Sequence, residues 1–273
     1  MKDNAPMTHP PRGHVVRSAG ARQDLIVRHV VANGSETPAE LATMTGVSLM
    51  TVHRDLDELV RKGLLRKYRG GVSALPSSVF ESNVEYRLRA YPREKEAIAR
   101  MAVTLIEPGM SVLLDDSTTA LAVARLLVGA GPLTVITNFV RAVDLLKSAP
   151  EIRLIGLGGD YSRTHDSYNG VACGEAVAAL RVDMAFVSTS AMTATATYHQ
   201  EQEIVLVKRA MLDAAGTKVL LMDSSKLART ALYRLAPVSA FDQLVVDVGA
   251  PAEVIAALRE QLPVEAVSLT PNH

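Results

Sequence analysis

One segment of the chain places cations and polar side chains along one side of a helix. Between residues 48 and 62, Val52, Leu56 and Leu59 recur at helical spacing, so they share one face and the polar residues fall opposite. An α-helix fits the major groove of B-DNA, where residues near its N-terminus reach base edges and flanking cations neutralise phosphates. The predicted base-facing residues are Met50, Thr51, His53 and Arg54, and the predicted phosphate contacts are Ser48, Arg61, Lys62, Arg66, Lys67 and Arg69.

Acidic residues on the same segment limit which side can meet DNA. Asp55, Asp57 and Glu58 would repel phosphate if they faced it, so we expect Asp55 to tie the helix to its neighbours. Arg54 is the best bidentate partner for a guanine. The alternative interpretation is a solvated basic helix on a protein-interaction module, but the agreement of spacing, turn and hairpin favours DNA binding.

A second set of polar residues follows short apolar runs in the rest of the chain. Four such sites, at residues 115–119, 137–138, 158–159 and 223–226, combine small residues with polar ones. Ligands of open α/β sheets bind beyond the carboxyl ends of the strands, and helix N-termini there present unpaired N–H groups to anions. Ordinary helix capping is the alternative for each site alone, whereas four sites together favour a binding pocket.

These sites predict a pocket for an anion such as a phosphate group. The phosphate is expected at the helix that begins near Thr118, with hydroxyls around it and Lys226 as a cation. Asp115 or Asn138 would bind hydroxyl groups of the same ligand. The predicted effector-binding residues are Asp115, Ser117, Thr118, Thr119, Asn138, Gly158, Gly159 and Lys226.

Two short helices and a glycine turn are predicted before the basic helix. The first covers residues 21–31, the second begins after the N-cap residue Thr37, and Gly46 ends it. Ser48 is placed to cap the third helix. The alternating stretch 66–74, which contains a Gly-Gly pair, predicts a basic hairpin, so the whole pattern is that of a helix-turn-helix with a wing.

Beyond residue 78, short apolar strands alternate with helices, which favours a mostly parallel sheet covered by helices. The predicted fold class is therefore α/β, with a small N-terminal winged helix-turn-helix followed by a larger open α/β domain. The predicted organisation is a disordered leader over residues 1–19, a DNA-binding domain over 20–75, a linker over 76–91 and an effector domain over 92–269. The predicted helices of that domain are 93–106, 118–127, 139–148, 175–180, 203–215 and 251–261, and its predicted strands are 111–115, 133–137, 152–157, 184–187, 218–222 and 244–246.

Eight motifs follow one another along the chain: ELATMTGVSLMTVHRDLDELVRKGLLRKYRGG, EKEAIA, SVLLDDSTTA, LTVITN, LIGLGGDYSR, VKRAM, LLMDSSK and LAPVSAFDQLVVD. In type and order they resemble the DeoR family of bacterial transcription regulators, over about residues 20–248. The resemblance implies a winged helix-turn-helix joined to a sugar-phosphate-sensing domain with a ribose-5-phosphate-isomerase-like fold. It also implies double-stranded operator DNA as a partner and a homo-oligomer, a dimer or a tetramer.

The chain departs from the family pattern at three places. His53-Arg54 stands where the family commonly has an arginine pair, which affects the operator sequence rather than the docking mode. Ser117 replaces a glycine in the Asp-x-Gly-Thr-Thr pattern, and its Cβ would hinder close approach of the backbone to phosphate. Ser188–Ala191 replaces a glycine-containing turn. The last two departures predict a weaker or differently shaped effector pocket.

The function predicted from these features is a transcriptional regulator that represses a carbohydrate-metabolism operon until a phosphorylated sugar binds. A sugar-phosphate isomerase-like enzyme fused to a DNA-binding module is the alternative. Isomerisation needs a positioned carboxylate base, and nothing distinguishes Asp115, Asp116 or Glu175 as one. No catalytic residue is therefore predicted. A DNA-architectural protein with a structural large domain is a third possibility.

Composition excludes several other classes. Hydrophobic residues make up 48% and charged residues 21%, which excludes a largely disordered chain. Residues 1–78 hold 11 basic and 7 acidic side chains, and residues 79–273 hold 18 and 22, so only the front is expected to meet a polyanion. The sequence has no apolar run long enough to span a membrane and no metal-ligand spacing, so a cytoplasmic protein without metal or cofactor is expected. A few other residues carry expectations of their own. His165 and His199 are expected to lie in solvated loops, and Cys173 is expected to be buried or inert. Lys208 and Arg209 are expected either to contact an anion or to be exposed.

Overall fold

The computed structural model describes residues 18–74 and 82–269. The chain forms two compact units, Met1–Tyr86 and Arg87–His273. The predicted leader falls almost wholly on residues 1–17, which lie outside the described residues. Residues 75–81, which are the last residue of the predicted DNA-binding domain and the start of the predicted linker, also lie outside them.

Three helices and a small antiparallel sheet make up the described part of the first unit. Ile26, Leu41 and the predicted stripe of Val52, Leu56 and Leu59 are buried in one core, because the stripe recurs at helical spacing. The helix-turn-helix and the hairpin are confirmed, and a short strand added to the hairpin is a feature that the sequence pattern does not predict. The elements are α1 (Ala19–Asn33), β1 (Ser35–Glu36), α2 (Pro38–Thr45), α3 (Leu49–Arg61), β2 (Leu65–Tyr68) and β3 (Gly71–Ala74), with sheet order β1-β3-β2.

The turn and the caps that position α3 follow from local chemistry. Gly46 has a φ of 69°, in the left-handed region that glycine adopts without steric cost. The side-chain oxygens of Thr37 and Ser48 accept hydrogen bonds from the backbone N–H groups of Glu40 (3.2 Å) and Thr51 (3.3 Å). Each cap satisfies one of the N–H groups that a helix start leaves free, and the predicted starts of α2 and α3 are confirmed.

A parallel sheet of seven strands forms the centre of the second unit. Its inner strands are buried apolar runs, as expected of a parallel sheet covered by helices, whereas the edge strands are partly exposed. The strands are β4 (Ser111–Leu114), β5 (Leu133–Thr137), β6 (Ile152–Gly156), β9 (Val182–Val187), β12 (Ala215–Met222), β14 (Gln243–Asp247) and β15 (Val264–Val267). The boundary between the two units falls within α4 (Val84–Arg89). The helices of the second unit that follow are α5 (Pro92–Val103), α6 (Thr118–Leu127), α7 (Val140–Leu146), α8 (Gly170–Ala178), α9 (Gln202–Ala214) and α10 (Ala252–Arg259).

The order of strands across this sheet is β15-β14-β12-β9-β4-β5-β6. From β4 the chain proceeds outward through β5 and β6, and it then returns to the other side of β4 with β9. The direction of winding therefore reverses between β4 and β9, and such a switch point opens a crevice at the carboxyl ends of the two strands.

The second unit also contains short strands that the sequence pattern does not predict. They are two to five residues long and mix polar with apolar residues, so they lack a readable period. α8 begins at Gly170, earlier than the predicted start at Glu175, because two glycines in its first turns weaken the helical pattern. The added strands are a hairpin of β7 (Asp160–Ser162) and β8 (Ser167–Asn169), and a small sheet of β10 (Ala191–Met192), β11 (Ala196–His199) and β13 (Tyr233–Pro237).

The predicted linker, residues 76–91, contains the helix α4 instead of irregular chain alone. The side-chain oxygen of Asn83 accepts hydrogen bonds from the N–H groups of Glu85 (2.8 Å) and Tyr86 (3.4 Å), and this cap starts the helix. Tyr86 packs against the core of the first unit. None of the helices in residues 18–74 and 82–269 is both long and apolar enough to span a bilayer.

Candidate DNA interface and effector site

The outer face of α3 carries the side chains predicted to read DNA. Met50 is 83% exposed, and His53 and Arg54 are exposed beside it, whereas Thr51 is half-buried. Ser48 Oγ lies 2.9 Å from Thr51 Oγ1 in addition to capping the helix. The first turns of α3 therefore present an apolar, an aromatic and a cationic side chain to solvent, and their contact with bases remains a prediction.

The predicted phosphate contacts differ in their surroundings. Lys62 Nζ lies 2.5 Å from Glu58 Oε1, and Lys67 forms an ion pair with Asp57. These pairs offset the two acidic side chains that would otherwise repel DNA. The predicted cations with no hydrogen bond or ion pair to another residue in the described part of the chain are Arg54, Arg66 and Arg69.

Asp55 holds α3 against α1, as expected from the sequence. Its carboxylate accepts hydrogen bonds from Arg22 Nε (2.6 Å) and Nη2 (3.1 Å) and from Gln23 Nε2 (3.2 Å). All three side chains are buried. A bidentate guanidinium–carboxylate pair fixes orientation as well as distance, so Asp55 sets the angle at which α3 is presented.

The carboxyl ends of β4 and β9, at the switch point, are joined by the carboxylate of Asp115. It accepts hydrogen bonds from the N–H groups of Ser117 (3.0 Å) and Ser188 (2.8 Å) and forms an ion pair with Lys208. Asp115 is fully buried. Its predicted contact with a sugar hydroxyl stays a prediction, and such a contact must compete with these three partners.

Lys208 on α9 neutralises a pair of adjacent carboxylates. Its Nζ contacts Asp115 and lies 3.0 Å from Asp116 Oδ1, and the side chain is buried. Burial alone lowers the pKa of this ammonium group, but the two carboxylates outweigh burial and raise the pKa above its usual value. Burial opposes the ionisation of Asp116 as well, yet Lys208 and other nearby cations hold its pKa below the usual range. Lys208 therefore contacts anionic side chains instead of being exposed, which is the first of the two alternatives given by the sequence.

Three hydroxyl side chains begin α6, but two of them have partners within the protein. Ser117 Oγ accepts a hydrogen bond from the N–H of Ala120 (3.0 Å), and Thr118 Oγ1 donates to the carbonyl of Arg87 (3.1 Å). Thr119 Oγ1 is buried without a hydrogen-bond partner in the described structure. Ser117 thus serves as an ordinary helix cap, with a φ of −84° that any residue adopts.

Two buried asparagines beside this crevice each keep one unsatisfied oxygen. Asn138 Nδ2 donates to the carbonyl of Tyr168 (2.7 Å), and Asn169 Nδ2 donates to Ser167 Oγ (3.0 Å). The Oδ1 atom of each asparagine is buried without a partner in the described structure. Ser167 Oγ in turn donates to Asp116 Oδ2 (2.9 Å), which links Asn169 to the carboxylate pair. Buried acceptors of this kind are suited to ligand hydroxyls.

Gly158 and Gly159 connect β6 to the hairpin that follows. A Cβ on Gly159 would lie 2.4 Å from the carbonyl oxygen of Asn169 and 2.9 Å from Cys173 Cβ, at a φ of 146°. Gly159 is therefore required by close packing against α8, whereas a Cβ on Gly158 would meet open space. Contact of either glycine with an effector remains a prediction.

Lys226 follows β12 and faces the same strand ends. Its Nζ lies 3.4 Å from Asp223 Oδ2 and donates to Ser188 Oγ (3.2 Å). A second lysine, Lys95 of α5, is buried nearby and donates to the carbonyls of Arg87 and of Ala90 (2.6 Å). Burial, together with the charge of Lys226, lowers the pKa of Lys95 to about 7.

Several residues of the cluster are missing from the sequence-based prediction. His165 and His199 are buried, contrary to the expectation of solvated loops. His165 Nε2 lies 2.9 Å from Glu201 Oε1, and its Nδ1 lies 3.3 Å from a guanidinium nitrogen of Arg87. Burial, with Lys208 nearby, lowers the pKa of His199 to about 3. No local pattern marks these residues, because they meet only after distant segments fold together.

Cys173 is buried as expected, and burial raises the pKa of its thiol to about 11. Within residues 18–74 and 82–269, no three His, Cys, Asp or Glu side chains come close enough together to hold a metal ion.

An exposed reading helix with a basic wing, followed by an α/β unit with polar residues at its switch point, defines a DNA-binding regulator with an attached sensor domain. The model of the DeoR-like helix-turn-helix domain matches residues 22–78, and that of the DeoR C terminal sensor domain matches residues 91–248. The chain belongs to the DeoR family and is a DNA-binding transcriptional regulator. The resemblance in its motifs is confirmed.

Relatives of similar length support this assignment. The chain is 32% identical over 240 residues to an uncharacterized HTH-type transcriptional regulator, YgbI, of Escherichia coli K12, which covers 88% of this chain and 94% of that protein. It is 31% identical over 245 residues to the glycerol-3-phosphate regulon repressor of Haemophilus influenzae, over 88% of this chain and 93% of that protein. A solved D-ribose-5-phosphate isomerase in complex with phospho-erythronic acid matches 49% of this chain and 53% of its own, at 16% identity and a TM-score of 0.37.

Proposed function

We propose that this regulator represses a carbohydrate-metabolism operon and that a phosphorylated sugar relieves the repression. The observation that carries the DNA-binding half is the outer face of α3, where Arg54 is exposed while the acidic side chains of the helix are buried or paired. Support for repression comes from relatives named as repressors, including a glycerol-3-phosphate regulon repressor and a putative aga operon repressor.

The effector site in this proposal is the crevice at the carboxyl ends of β4, β5, β9 and β12. Lys226 and the start of α6 supply positive charge for a phosphate. Asn138 Oδ1 and Thr119 Oγ1, which have no partner in the described structure, are placed to bond sugar hydroxyls. Asp115, Ser117 and Thr118 lie at the same strand ends and already have partners within the protein, so a contact of any of them with the effector would compete with these bonds.

Repression in this proposal requires a homo-oligomer on double-stranded operator DNA. Two reading helices bind two half-sites only at a matching separation, so a ligand that changes the position or mobility of the paired DNA-binding domains weakens binding. Each loss of 1.4 kcal/mol lowers affinity about tenfold. No cofactor beyond the effector is part of the proposal.

The proposal treats the chain as a sensor and not as an isomerase. An isomerase needs a carboxylate free to accept a proton from the substrate. Asp115 and Asp116 are both tied to Lys208 in a buried ion pair, so neither is available as a base. Incubation with candidate sugar phosphates should therefore leave them unchanged, and conversion of one into its isomer would favour the enzyme.

Fluorescence anisotropy with labelled DNA from upstream of the protein's own gene cluster tests the function. Binding is measured at fixed salt against scrambled DNA, with a panel of sugar phosphates and their unphosphorylated forms. We expect specific binding that one phosphorylated sugar relieves and its unphosphorylated form does not. Specific binding that no member of the panel changes would reject the effector, and equal binding to scrambled DNA would reject an operator-specific repressor.

A further inference from the structure

Met50 is the most exposed of the large apolar side chains in the described part of the chain, with 83% of its surface open to solvent. Its neighbour Leu49 is 47% exposed, so two consecutive apolar side chains face solvent at the start of α3. Neither belongs to the hydrophobic core formed by the described residues of the first unit. Removal of such apolar surface from water is favourable, and the helix that carries it is the one that reads DNA.

Met50 lies on the side of α3 that faces away from the core, about one helical turn before Arg54. Side chains four residues apart are neighbours on a helix surface. The buried residues Val52 and Leu56 lie on the opposite side. Arg54 is exposed and has no hydrogen bond or ion pair to another residue in the described part of the chain. Met50 and Arg54 therefore present an apolar group and a free cation side by side to one partner.

The major groove of B-DNA offers a suitable feature to each of these two side chains. The C5-methyl group of thymine is an apolar group on the base edges there, whereas guanine presents the two acceptors, N7 and O6, that an arginine binds. Methionine is unbranched and has three rotatable bonds, so its end can follow a methyl group. DNA is favoured over an apolar protein surface, because Arg66 and Arg69 of the same unit are also unpaired among the described residues and suit phosphate.

We propose that Met50 contacts the C5-methyl group of a thymine in each operator half-site, one or two base pairs from the guanine expected at Arg54. Four residues of a helix span about 6 Å along its axis, and successive base pairs are about 3.4 Å apart, which sets this separation. The inference rests on the DNA-binding half of the proposed function and specifies the feature of a base that one residue reads. Each half-site therefore carries a T·A pair and a G·C pair as close neighbours.

The test starts from a randomised pool of DNA duplexes, from which the full-length protein selects its preferred half-sites. In the selected duplex each thymine is replaced in turn by deoxyuridine, which lacks only the C5-methyl group, and affinity is measured by fluorescence anisotropy. We expect the wild type to bind roughly fourfold more weakly at one such position, which corresponds to one buried methyl group. Met50→Ala should bind the thymine and deoxyuridine duplexes equally, whereas Met50→Leu should keep the discrimination because it keeps an apolar side chain.

Leu232→Ala is the matched control, since Leu232 is 77% exposed in the second unit and its loss should leave the discrimination of the wild type unchanged. A wild-type affinity that no deoxyuridine substitution lowers would overturn the inference, as would an equal loss of affinity in Met50→Ala. A discriminated thymine without a guanine one or two base pairs away would reject the placement beside Arg54. These three outcomes leave the selected half-site, and with it the proposed function, intact. Selection of no preferred sequence would instead reject sequence-specific binding and the inference together.

Discussion

Asp55 and Asp57 stand two residues apart on α3 and have opposite surroundings. Asp55 is buried against Arg22, whereas Asp57 is exposed and pairs with Lys67 on the wing. A buried pair depends on both partners, because the remaining charge has no water to solvate it, while an exposed pair contributes little. Asp55 therefore has a structural role, whereas Asp57 affects the surface charge.

We expect Asp55→Asn to destabilise the protein by about 3–5 kcal/mol, because Arg22 is left buried without its counter-charge. Asp57→Asn is the matched control and should change stability by less than about 1 kcal/mol. It should also strengthen non-specific DNA binding, because an anion is lost and Lys67 is freed. Urea denaturation followed by circular dichroism measures the first effect, and equal losses in both variants would contradict the assignment.

Lys95 should make the stability of the protein depend on pH in the neutral to alkaline range. Its pKa is lowered to about 7 in the folded chain, against about 10.4 in an unfolded one, so the unfolded state binds the proton between these values. Burial of the charged form costs most below pH 7, and the cost falls as the pH rises.

The stability of the wild type relative to Lys95→Met should therefore increase by about 2 kcal/mol between pH 7 and pH 9. Lys147 is exposed and paired with Asp144, so it serves as the control. The difference in free energy of unfolding between the wild type and Lys147→Met should stay the same over this pH range. Denaturant unfolding at a series of pH values measures both differences. A constant difference for Lys95→Met would show that Lys95 keeps an ordinary pKa.

At the scale of elements, α3 and the wing have distinct tasks on DNA. Arg54→Ala should cost about 1–3 kcal/mol on the operator and relax the preference for one base, because a bidentate base contact is lost. Arg66→Ala on β2 should weaken binding to all sequences alike. It should also reduce the slope of the logarithm of the binding constant against the logarithm of the salt concentration by about one. Titrations at several salt concentrations on operator and scrambled DNA distinguish the two effects. Loss of base preference in Arg66→Ala would reverse the assignment.

The elements that the sequence predicts well are those with a strong period. α3 has three buried apolar residues at helical spacing and a serine cap, and both features are local. The hairpin β7–β8 and strand β11 are short and polar, so nothing local distinguishes them from loops. β7 and β8 pair with each other, and β11 pairs with its neighbour β10 and with the distant strand β13. Their pairing and packing in the folded chain stabilise them, and neither is visible as a local period in the sequence.

The candidate effector site is predictable only in part, for the same reason. Asp115, Asn138 and Lys226 follow strands, and the parallel arrangement brings strand ends together. Lys208 lies in the middle of a helix and Arg87 in a segment expected to be a linker, so neither has a strand end to mark it. Their burial depends on carboxylates and carbonyls that reach them from other segments.

At the scale of the whole molecule, each unit has a hydrophobic core of its own. We expect calorimetry to show two unfolding transitions, one raised by operator DNA and the other by the effector. A ligand at about 100 times its Kd adds about 2.7 kcal/mol to the unit that binds it. A single transition that both ligands raise would show that the two units unfold as one.

The rate at which a thiol reagent modifies the single cysteine of the chain would report on opening of the effector site. Cys173 is buried beneath Gly159, and the raised pKa of its thiol leaves almost no reactive thiolate near neutral pH. A thiol reagent can therefore reach it only in the moments when α8 separates from its neighbours, and the rate of labelling reports how often this happens. A ligand that closes the site should slow the labelling. The native cysteine would then measure how often the sensor domain opens around α8, without an engineered probe.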